Sequence, residues 1–390
     1  MKKKIFLRKI HLNSSFFIFR KGGSMEQANH IHTIVITGGP CAGKTTAMSW
    51  LQNALTDAGY AVMFIPETCT DLNNSGVTAR ASKSNFDFQR VQVRYQLLRE
   101  QIYRQAAEAS ASDEVVIVCD RGSMDDKPYM EPEEFAAILK ELGQNEVAFR
   151  DKYDAVFHMV TAAKGAEAFY TTDNNTARVE TLEEAIELDA KTLAAWAGHP
   201  HLRIIDNATD FNDKLVRLLR EVMTALGKPA PFAHARRFLI DTPDRAWLEA
   251  HPACRRVEII QTYLTDVRGE KRRICMRGND GSYIYYMTTH CTGTDGSRIE
   301  TEKRLSLDDY QQLMMEADPM CMPIRKTRYC LVDDAHAYEV DFYPAWQDKA
   351  MLQVELNDPD AEITVPENFR VIREVTDDPD YQNYAMARIR

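Results

Sequence analysis

The sequence lacks the features that mark several special classes of protein. Its eight cysteines are scattered over 390 residues and none forms a C-x-x-C pair, which argues against a disulfide scaffold and a zinc ribbon. No run reaches the roughly 20 apolar residues that a membrane-spanning helix needs. Internal repeats and low-complexity tracts are also absent. The composition, 44% hydrophobic and 27% charged, is that of a globular protein, and we expect a reducing, cytoplasmic setting.

Charge and length set two further expectations. The formal net charge of −10 argues against general nucleic-acid binding. Because 390 residues exceed the usual size of one hydrophobic core, we predict two domains. The apolar start of the chain is interrupted by Arg8, Lys9 and His11, so we expect residues 1–28 to be a disordered extension, with Met25 as a candidate start.

One glycine-rich stretch organises the first half of the chain. An apolar run precedes the spacing G-x-x-x-x-G-K-T and a helical pattern follows it, which is the context of a phosphate-binding P-loop. In such a loop backbone N–H groups converge on phosphate, Lys44 reaches the terminal phosphates and the Thr45 hydroxyl binds Mg²⁺. We therefore predict binding of ATP or GTP with Mg²⁺. The predicted nucleotide-binding residues are Gly38, Gly39, Pro40, Cys41, Ala42, Gly43, Lys44, Thr45 and Thr46.

Four side chains outside the loop are predicted to join Lys44 in a catalytic site. Glu67 follows a second apolar strand pattern, and Asp120 and Arg121 follow a third. Ligands bind beyond the carboxyl ends of strands in an open sheet, so Asp120 is expected to help Thr45 organise Mg²⁺ and Arg121 to hold an anion. Glu67 would accept a proton or hold a metal-bound water; the alternative is an exposed loop glutamate. Arg178, in a polar loop before a helix, is a lid candidate or an ordinary surface arginine.

The first half alternates strand and helix patterns, which predicts a parallel three-layer α/β domain over residues 29–227. A long helix is predicted from Asn85 to about Glu108. Its apolar residues at helical spacing indicate a core stripe. They are Val91, Tyr95, Leu98 and Ile102.

These motifs resemble a P-loop domain of the AAA-type class, close to the nucleoside and nicotinamide-riboside kinases. The resemblance is carried by the P-loop, Pro66-Glu67, Asp120-Arg121-Gly122 and the Arg178 segment. It implies that Glu67 is the base and that Asp120 and Arg121 serve Mg²⁺ and phosphate.

The pattern changes after a Gly/Pro-rich linker at residues 228–236. Alternation with period two predicts antiparallel strands in a second domain, residues 237–390. Several strands carry charge on alternate positions, so their charged side chains share one face. Solvent is the usual environment of such a face, but so many charged strands favour a closed barrel with a charged lumen. Such a lumen suits a polyphosphate held by Arg and Lys, with metal ions held by carboxylates.

This half resembles a CYTH domain, the triphosphate tunnel metalloenzyme fold. The matching segments include residues 257–264, 298–302, 326–329, 338–342 and 374–383. The implied ligand and metal residues of the tunnel are Glu258, Arg273, Arg277, Glu300, Glu302, Lys326, Arg328, Asp341 and Glu355.

The match to the CYTH signature is incomplete. In the opening E-x-E-x-K strand Ile260 replaces the second Glu and Thr262 replaces the Lys, while Cys275, His290 and Gln353 replace frequent tunnel residues. Lost carboxylates weaken two-metal hydrolysis, whereas the retained basic residues preserve anion binding.

Three functions follow from these features. The first is a Mg²⁺-dependent NTPase or small-molecule phosphotransferase whose second domain binds a phosphorylated small molecule or polyphosphate. The second is a non-catalytic nucleotide-dependent switch whose second domain binds polyphosphate or a phosphoinositide. The third is a tunnel triphosphatase. Base preference stays open between ATP and GTP because no guanine-specific N-K-x-D element is present.

Overall fold

The computed structural model describes residues 30–167, 181–227, 234–266, 270–292, 298–333, 336–356 and 363–388. The described chain forms two β-sheets, the first parallel and the second antiparallel. No helix among the described residues is long and apolar enough to cross a bilayer.

The first sheet is parallel throughout and has the strand order β2-β3-β1-β4-β5. Its strands are β1 (His30–Thr37), β2 (Ala61–Ile65), β3 (Glu114–Asp120), β4 (Ala155–Met159) and β5 (Leu202–Ile205). They are runs of apolar residues because helices cover both faces of the sheet.

Seven helices of the described chain accompany this sheet. They are α1 (Lys44–Asp57), α2 (Thr68–Asn74), α3 (Asn85–Glu108), α4 (Pro132–Leu142), α5 (Glu146–Arg150), α6 (Leu182–Ala195) and α7 (Phe211–Ala225). Side chains of α1 and α7 pack on one face of the sheet, and those of α3, α4 and α6 pack on the other. The predicted parallel three-layer architecture is confirmed.

The long helix α3 begins and ends where it was predicted, but the predicted core stripe is wrong. Val91, Leu98 and Ile102 are 45%, 52% and 53% exposed, whereas Val93 is fully buried. Three glutamines share the buried side of α3: Gln89, Gln92 and Gln96. Helical spacing identifies residues on one face without stating which face packs inward, and here polar side chains are turned towards the sheet.

The second sheet is antiparallel, with the order β10-β9-β8-β7-β11-β12-β13-β6-β14. Its strands are β6 (His234–Asp241), β7 (Cys254–Tyr263), β8 (Lys271–Asn279), β9 (Ser282–Thr292), β10 (Arg298–Leu305), β11 (Ile324–Asp333), β12 (His336–Phe342), β13 (Lys349–Leu356) and β14 (Val371–Glu374). In the described part of this half, three short α-helices accompany the strands: α8 (Arg245–Ala250), α9 (Leu307–Leu313) and α10 (Asn383–Ala387).

Two features of this sheet differ from expectation. Strand β6 begins at His234, so residues 234–236 pair with β13 instead of belonging to the linker. Strands β10 and β14 are the two edges, and no pairing joins them within the described ranges. The antiparallel architecture is confirmed, while closure into a barrel remains a prediction.

Candidate functional site

The P-loop turns between β1 and α1 in a conformation that requires glycine. Gly38 has φ of 137°, and a Cβ on it would lie 2.0 Å from the Met159 carbonyl oxygen. The Lys44 ammonium folds back over the loop and donates hydrogen bonds to the carbonyl oxygens of Gly38 at 2.9 Å and Gly39 at 3.0 Å. The predicted loop lysine therefore lies against its own loop.

Asp189 on α6 anchors this loop, and sequence reasoning missed it. Its Oδ1 accepts a hydrogen bond from Gly39 N at 2.7 Å and lies 3.1 Å from His158 Nε2 and 3.3 Å from Thr161 N. Burial opposes ionisation of Asp189, but His158 and these hydrogen bonds lower its pKa below the usual value. Gly39 and Asp189 are 150 positions apart, and no motif joins them in the sequence.

The carboxyl ends of β2 and β3 bring Glu67 and Arg121 together. Strand pairing places Asp120 beside Ile36, at the start of the P-loop. Arg121 has φ of 65° and donates from Nε to Glu67 Oε1 at 2.5 Å. Glu67, Asp120 and Arg121 are all close enough to Lys44 to influence its charge, while their catalytic roles remain predictions.

A further carboxylate, Asp125, supports this cluster from the turn after Arg121. It accepts hydrogen bonds from the Thr37 hydroxyl and, at 2.7 Å, from Gly122 N, and it lies 3.6 Å from the Arg121 guanidinium. The only sequence signal for this role is its position four residues after Arg121, which sequence reasoning did not use.

The charges of this cluster shift one another's pKa values. Burial and the neighbouring Arg121 lower the pKa of Lys44 to about 8. Burial opposes ionisation of Glu67, but Arg121 and the Thr70 hydroxyl bring its pKa down to about 2. Burial raises the pKa of Asp120 to about 6, against the attraction of Lys44. At neutral pH the cluster therefore holds ionised carboxylates beside two cations.

Asp120 is a candidate metal ligand. Its buried Oδ1 has no hydrogen-bond partner in the described structure, although such an atom normally finds one. The strand pairing places it next to the P-loop, whose Thr45 is exposed. No group of three His, Cys, Asp or Glu side chains in the described ranges is arranged to hold a metal. This donor set fits Mg²⁺, which is often held by one or two protein ligands together with phosphate and water.

A small cavity adjoins the cluster between β2, β3 and the buried side of α3. Glu67, Arg121, Gln92, Gln96 and Asp126 line it. Burial raises the pKa of Asp126 to about 7, so this carboxyl takes up a proton far more readily than an exposed aspartate does. The cavity is a confined polar space that begins at the Glu67–Arg121 pair.

Seven of the predicted tunnel residues share one face of the second sheet. Cross-strand partners point to the same side, and pairings such as Lys326 with Ile259 and Ile259 with Arg277 place them together. We call this set the charged face: Arg273, Arg277, Glu300, Glu302, Lys326, Arg328 and Asp341.

Three of the predicted site residues are not part of this set. Glu258 pairs with Thr327, one position from the Lys326 register, so its side chain is on the opposite face. There it accepts hydrogen bonds from Arg256 at 2.7 Å and the Tyr283 hydroxyl at 3.0 Å. Glu355 belongs to β13, but its side chain lies outside the described structure, and Arg178 lies outside the described residues.

The centre of the charged face is a buried ionic network. Asp341 accepts hydrogen bonds from Lys326 at 2.5 Å and from Arg328 at 2.6 and 2.7 Å, and Arg328 also pairs with Glu339. Burial opposes ionisation of Asp341, but Arg328 and Lys326 hold its pKa well below the usual range. Burial and Arg328 lower the pKa of Lys326. The network presents buried cations on the face where an anion was predicted.

The AAA domain family matches residues 33–214, which contain the P-loop, Asp120 and Asp189. The chain therefore carries a domain similar to the AAA domains, a nucleotide-binding class of P-loop protein. No curated protein matches the sequence.

Several solved structures are similar to part of the chain. The inorganic triphosphatase NE1496 is 24% identical over 41% of this chain and 96% of that chain, with a TM-score of 0.29. Another structure of NE1496, described as a hypothetical protein, is 25% identical over 40% of this chain and 97% of that chain, with a TM-score of 0.30. The PH1012 protein from Pyrococcus horikoshii OT3 is 12% identical over 32% of this chain and 80% of that chain, with a TM-score of 0.23.

Proposed function

We propose that the chain is a Mg²⁺-dependent NTPase or small-molecule phosphotransferase whose second sheet binds a phosphorylated small molecule or polyphosphate. The observation that carries the proposal is the buried, unpartnered Oδ1 of Asp120 beside a P-loop. A loop that only bound phosphate would not need a carboxylate at this position. A carboxylate and the Thr45 hydroxyl at the same end of the sheet suit a metal ion bound with a nucleoside triphosphate.

Each residue of the cluster has a role in this proposal. Lys44 exchanges its loop carbonyl partners for the terminal phosphates of ATP or GTP. Mg²⁺, held by Thr45 and Asp120, would neutralise the charge of those phosphates. Glu67 and Asp125 hold the Arg121 side chain in place, so its guanidinium is already oriented towards the site before a ligand binds. Arg178 keeps its proposed role as the lid arginine.

Glu67 is better suited to orienting Arg121 or a substrate group than to accepting a proton as a general base. A pKa of about 2 keeps the carboxylate ionised, and Arg121 already occupies its Oε1 at 2.5 Å. Little proton transfer is needed early in a loose phosphoryl-transfer transition state, so an orienting carboxylate is sufficient. The adjoining cavity with Gln92, Gln96 and Asp126 is where a phosphoryl acceptor would lie.

The non-catalytic switch is the second candidate. The absence of a clustered carboxylate set among the described residues favours binding over hydrolysis on the second sheet. Placement of Glu258 on the opposite face removes one more carboxylate from that site. The same two observations make tunnel triphosphatase activity the weakest of the three functions.

Phosphate release from MgATP and MgGTP separates these candidates. We expect turnover in the wild-type protein and a loss on the order of 10²-fold or more in Lys44→Ala. Lys140→Ala, an exposed lysine on α4, is the matched control and should leave turnover unchanged.

Two results would redirect the proposal. Nucleotide binding without turnover, with or without candidate acceptors, leaves the switch. Release of phosphate from inorganic triphosphate that survives Lys44→Ala but is lost in Lys326→Ala or Glu300→Gln supports the tunnel activity instead.

A further inference from the structure

A loop of the first half of the molecule contacts the charged face. The α6–β5 loop, residues 196–201, lies against it: the buried Arg277 donates to the Gly198 carbonyl oxygen at 2.8 Å, and His201 Nε2 lies 2.6 Å from Glu302 Oε1. A third contact joins Arg304 to the Asp151 carbonyl oxygen at 2.8 Å. Side chains expected to bind an anion or its metal therefore already bind the other half of the molecule.

The contacts of Arg277 are incomplete. Its side chain is 6% exposed, yet its Nε has no hydrogen-bond partner within the described structure. A buried guanidinium donor without a partner costs free energy, so a ligand that supplies an acceptor oxygen would be favoured here. Arg277 thus has one donor engaged with the loop and another available to an anion.

The loop has little freedom to adjust locally. Trp196, Ala197, Gly198 and His199 are all buried. Gly198 has φ of 87°, and a Cβ on it would lie 2.6 Å from the Arg150 guanidinium. Any displacement of Gly198 is therefore passed to the helix that precedes it, because tightly packed segments move as units.

That helix is α6, and it also holds the P-loop. Asp189 accepts the Gly39 N–H at 2.7 Å and is itself buried among His158 and Thr161. Helix α6 and the loop after it form one continuous segment. Asp189 on this segment binds the P-loop, and Gly198 and His201 on the same segment bind the charged face.

We infer that an anionic ligand on the charged face and a nucleotide in the P-loop weaken each other's binding through α6. The inference rests on the proposed function, because it uses both proposed sites. An anion that binds Arg277 through its unpartnered Nε and draws the guanidinium away from the Gly198 carbonyl leaves that loop group unpaired. The loop and α6 then shift, and the Asp189 anchor of Gly39 shifts with them.

The probes are MgADP and inorganic triphosphate, with free Mg²⁺ held constant because triphosphate binds it. We expect saturating triphosphate to weaken MgADP binding in calorimetric titration by about 5-fold or more, within the usual range of coupling between sites. Reciprocity requires MgADP to weaken triphosphate binding by the same factor. An unchanged MgADP affinity, or no binding of triphosphate, overturns the inference.

Two variants at His201 test the route. His201→Ala should bind each ligand alone but bring the coupling factor close to one, because the loop loses its contact with Glu302. His201→Gln keeps a side-chain donor and should retain the coupling. Thermal unfolding of both variants shows whether they fold alike. A coupling factor in His201→Ala equal to that of wild type overturns the route through the loop.

A control at the charged face excludes direct competition at the P-loop. In Lys326→Ala, triphosphate should no longer affect MgADP binding. If the effect persists there, triphosphate is competing for the P-loop and the inference is overturned. Failure of MgADP to bind the wild-type protein would instead defeat the proposed function, and the inference with it.

Discussion

At the scale of single residues, the ion pair between Glu67 and Arg121 is the best-defined electrostatic feature of the candidate site. The Arg121 side chain is 19% exposed and that of Glu67 is 30% exposed, so solvent screens the pair only in part. The pair orients a cation towards the phosphate loop. It also makes the stability of the protein depend on pH.

The sign of this dependence follows from the lowered pKa of Glu67. Its pKa is about 2 in the folded protein and 4.5 without the fold, so the stabilisation is fully present above pH 4.5 and is lost as pH falls towards 2. We expect Glu67→Gln to lower the free energy of unfolding at pH 7 by about 1–2 kcal/mol, after allowance for solvent screening. The difference from wild type should shrink between pH 4.5 and 2 in urea denaturation.

Glu258→Gln is the matched control, since Glu258 pairs with Arg256 on the outer face of the second sheet. Its effect at pH 7 should stay within about 0.5 kcal/mol, as for other surface substitutions. An equal loss of unfolding free energy in both variants would mean that the Glu67–Arg121 pair stabilises the protein no more than an exposed pair does.

At the scale of elements, α3 shows how a correct helix can be given the wrong buried face. The structure turns Phe88, Val93 and three glutamines inward and leaves Val91, Leu98 and Ile102 exposed. The glutamines are buried because the carboxyl end of the sheet is polar. Gln92, for example, donates a hydrogen bond to the buried carboxylate of Asp126.

Stability measurements can check this orientation. Val93→Ala removes fully buried methyl groups and should lower the free energy of unfolding by about 1–3 kcal/mol. Leu98→Ala, on the exposed side of the same helix, should change it by less than about 0.5 kcal/mol. Urea denaturation of the two variants compares them directly. A larger loss of stability for Leu98→Ala than for Val93→Ala would contradict this orientation and support the core stripe predicted from periodicity.

At the scale of the whole molecule, the two sheets share a buried seam. Val332 of β11 is 7% exposed and packs in the same apolar cluster as Leu202 and Trp196 of the first half. An ion pair joins Glu146 of the first half to Arg255 of β7 in the second half. The halves are therefore expected to unfold together.

Val332→Asp should break this seam, because a carboxylate buried without a partner is strongly unfavourable. We expect one calorimetric transition in the wild-type protein, and a lower midpoint with two separable transitions in the variant. Val371 is 41% exposed on the edge strand β14, and Val371→Asp should keep the single transition. A single transition with an unchanged midpoint in Val332→Asp would show that the seam does not couple the halves.

The sequence by itself determined what depends on neighbouring residues. The P-loop and the alternation of strands and helices around it are local patterns, and each is found where it was predicted. Alternation on the second sheet likewise grouped Lys326 with Arg328 and Glu300 with Glu302, because period two is a property of any strand.

Only the tertiary structure decided which of these groups meet. Strand register placed Glu258 away from Lys326, and a one-residue difference in pairing is enough to change the face. Folding brought Asp189 to Gly39 across 150 positions and His201 to Glu302 across 101. Such contacts arise from packing between distant segments, and local periodicity carries no information about distance in space. The loop that opens the first domain is therefore readable in the sequence, whereas its anchor and its connection to the charged face are not.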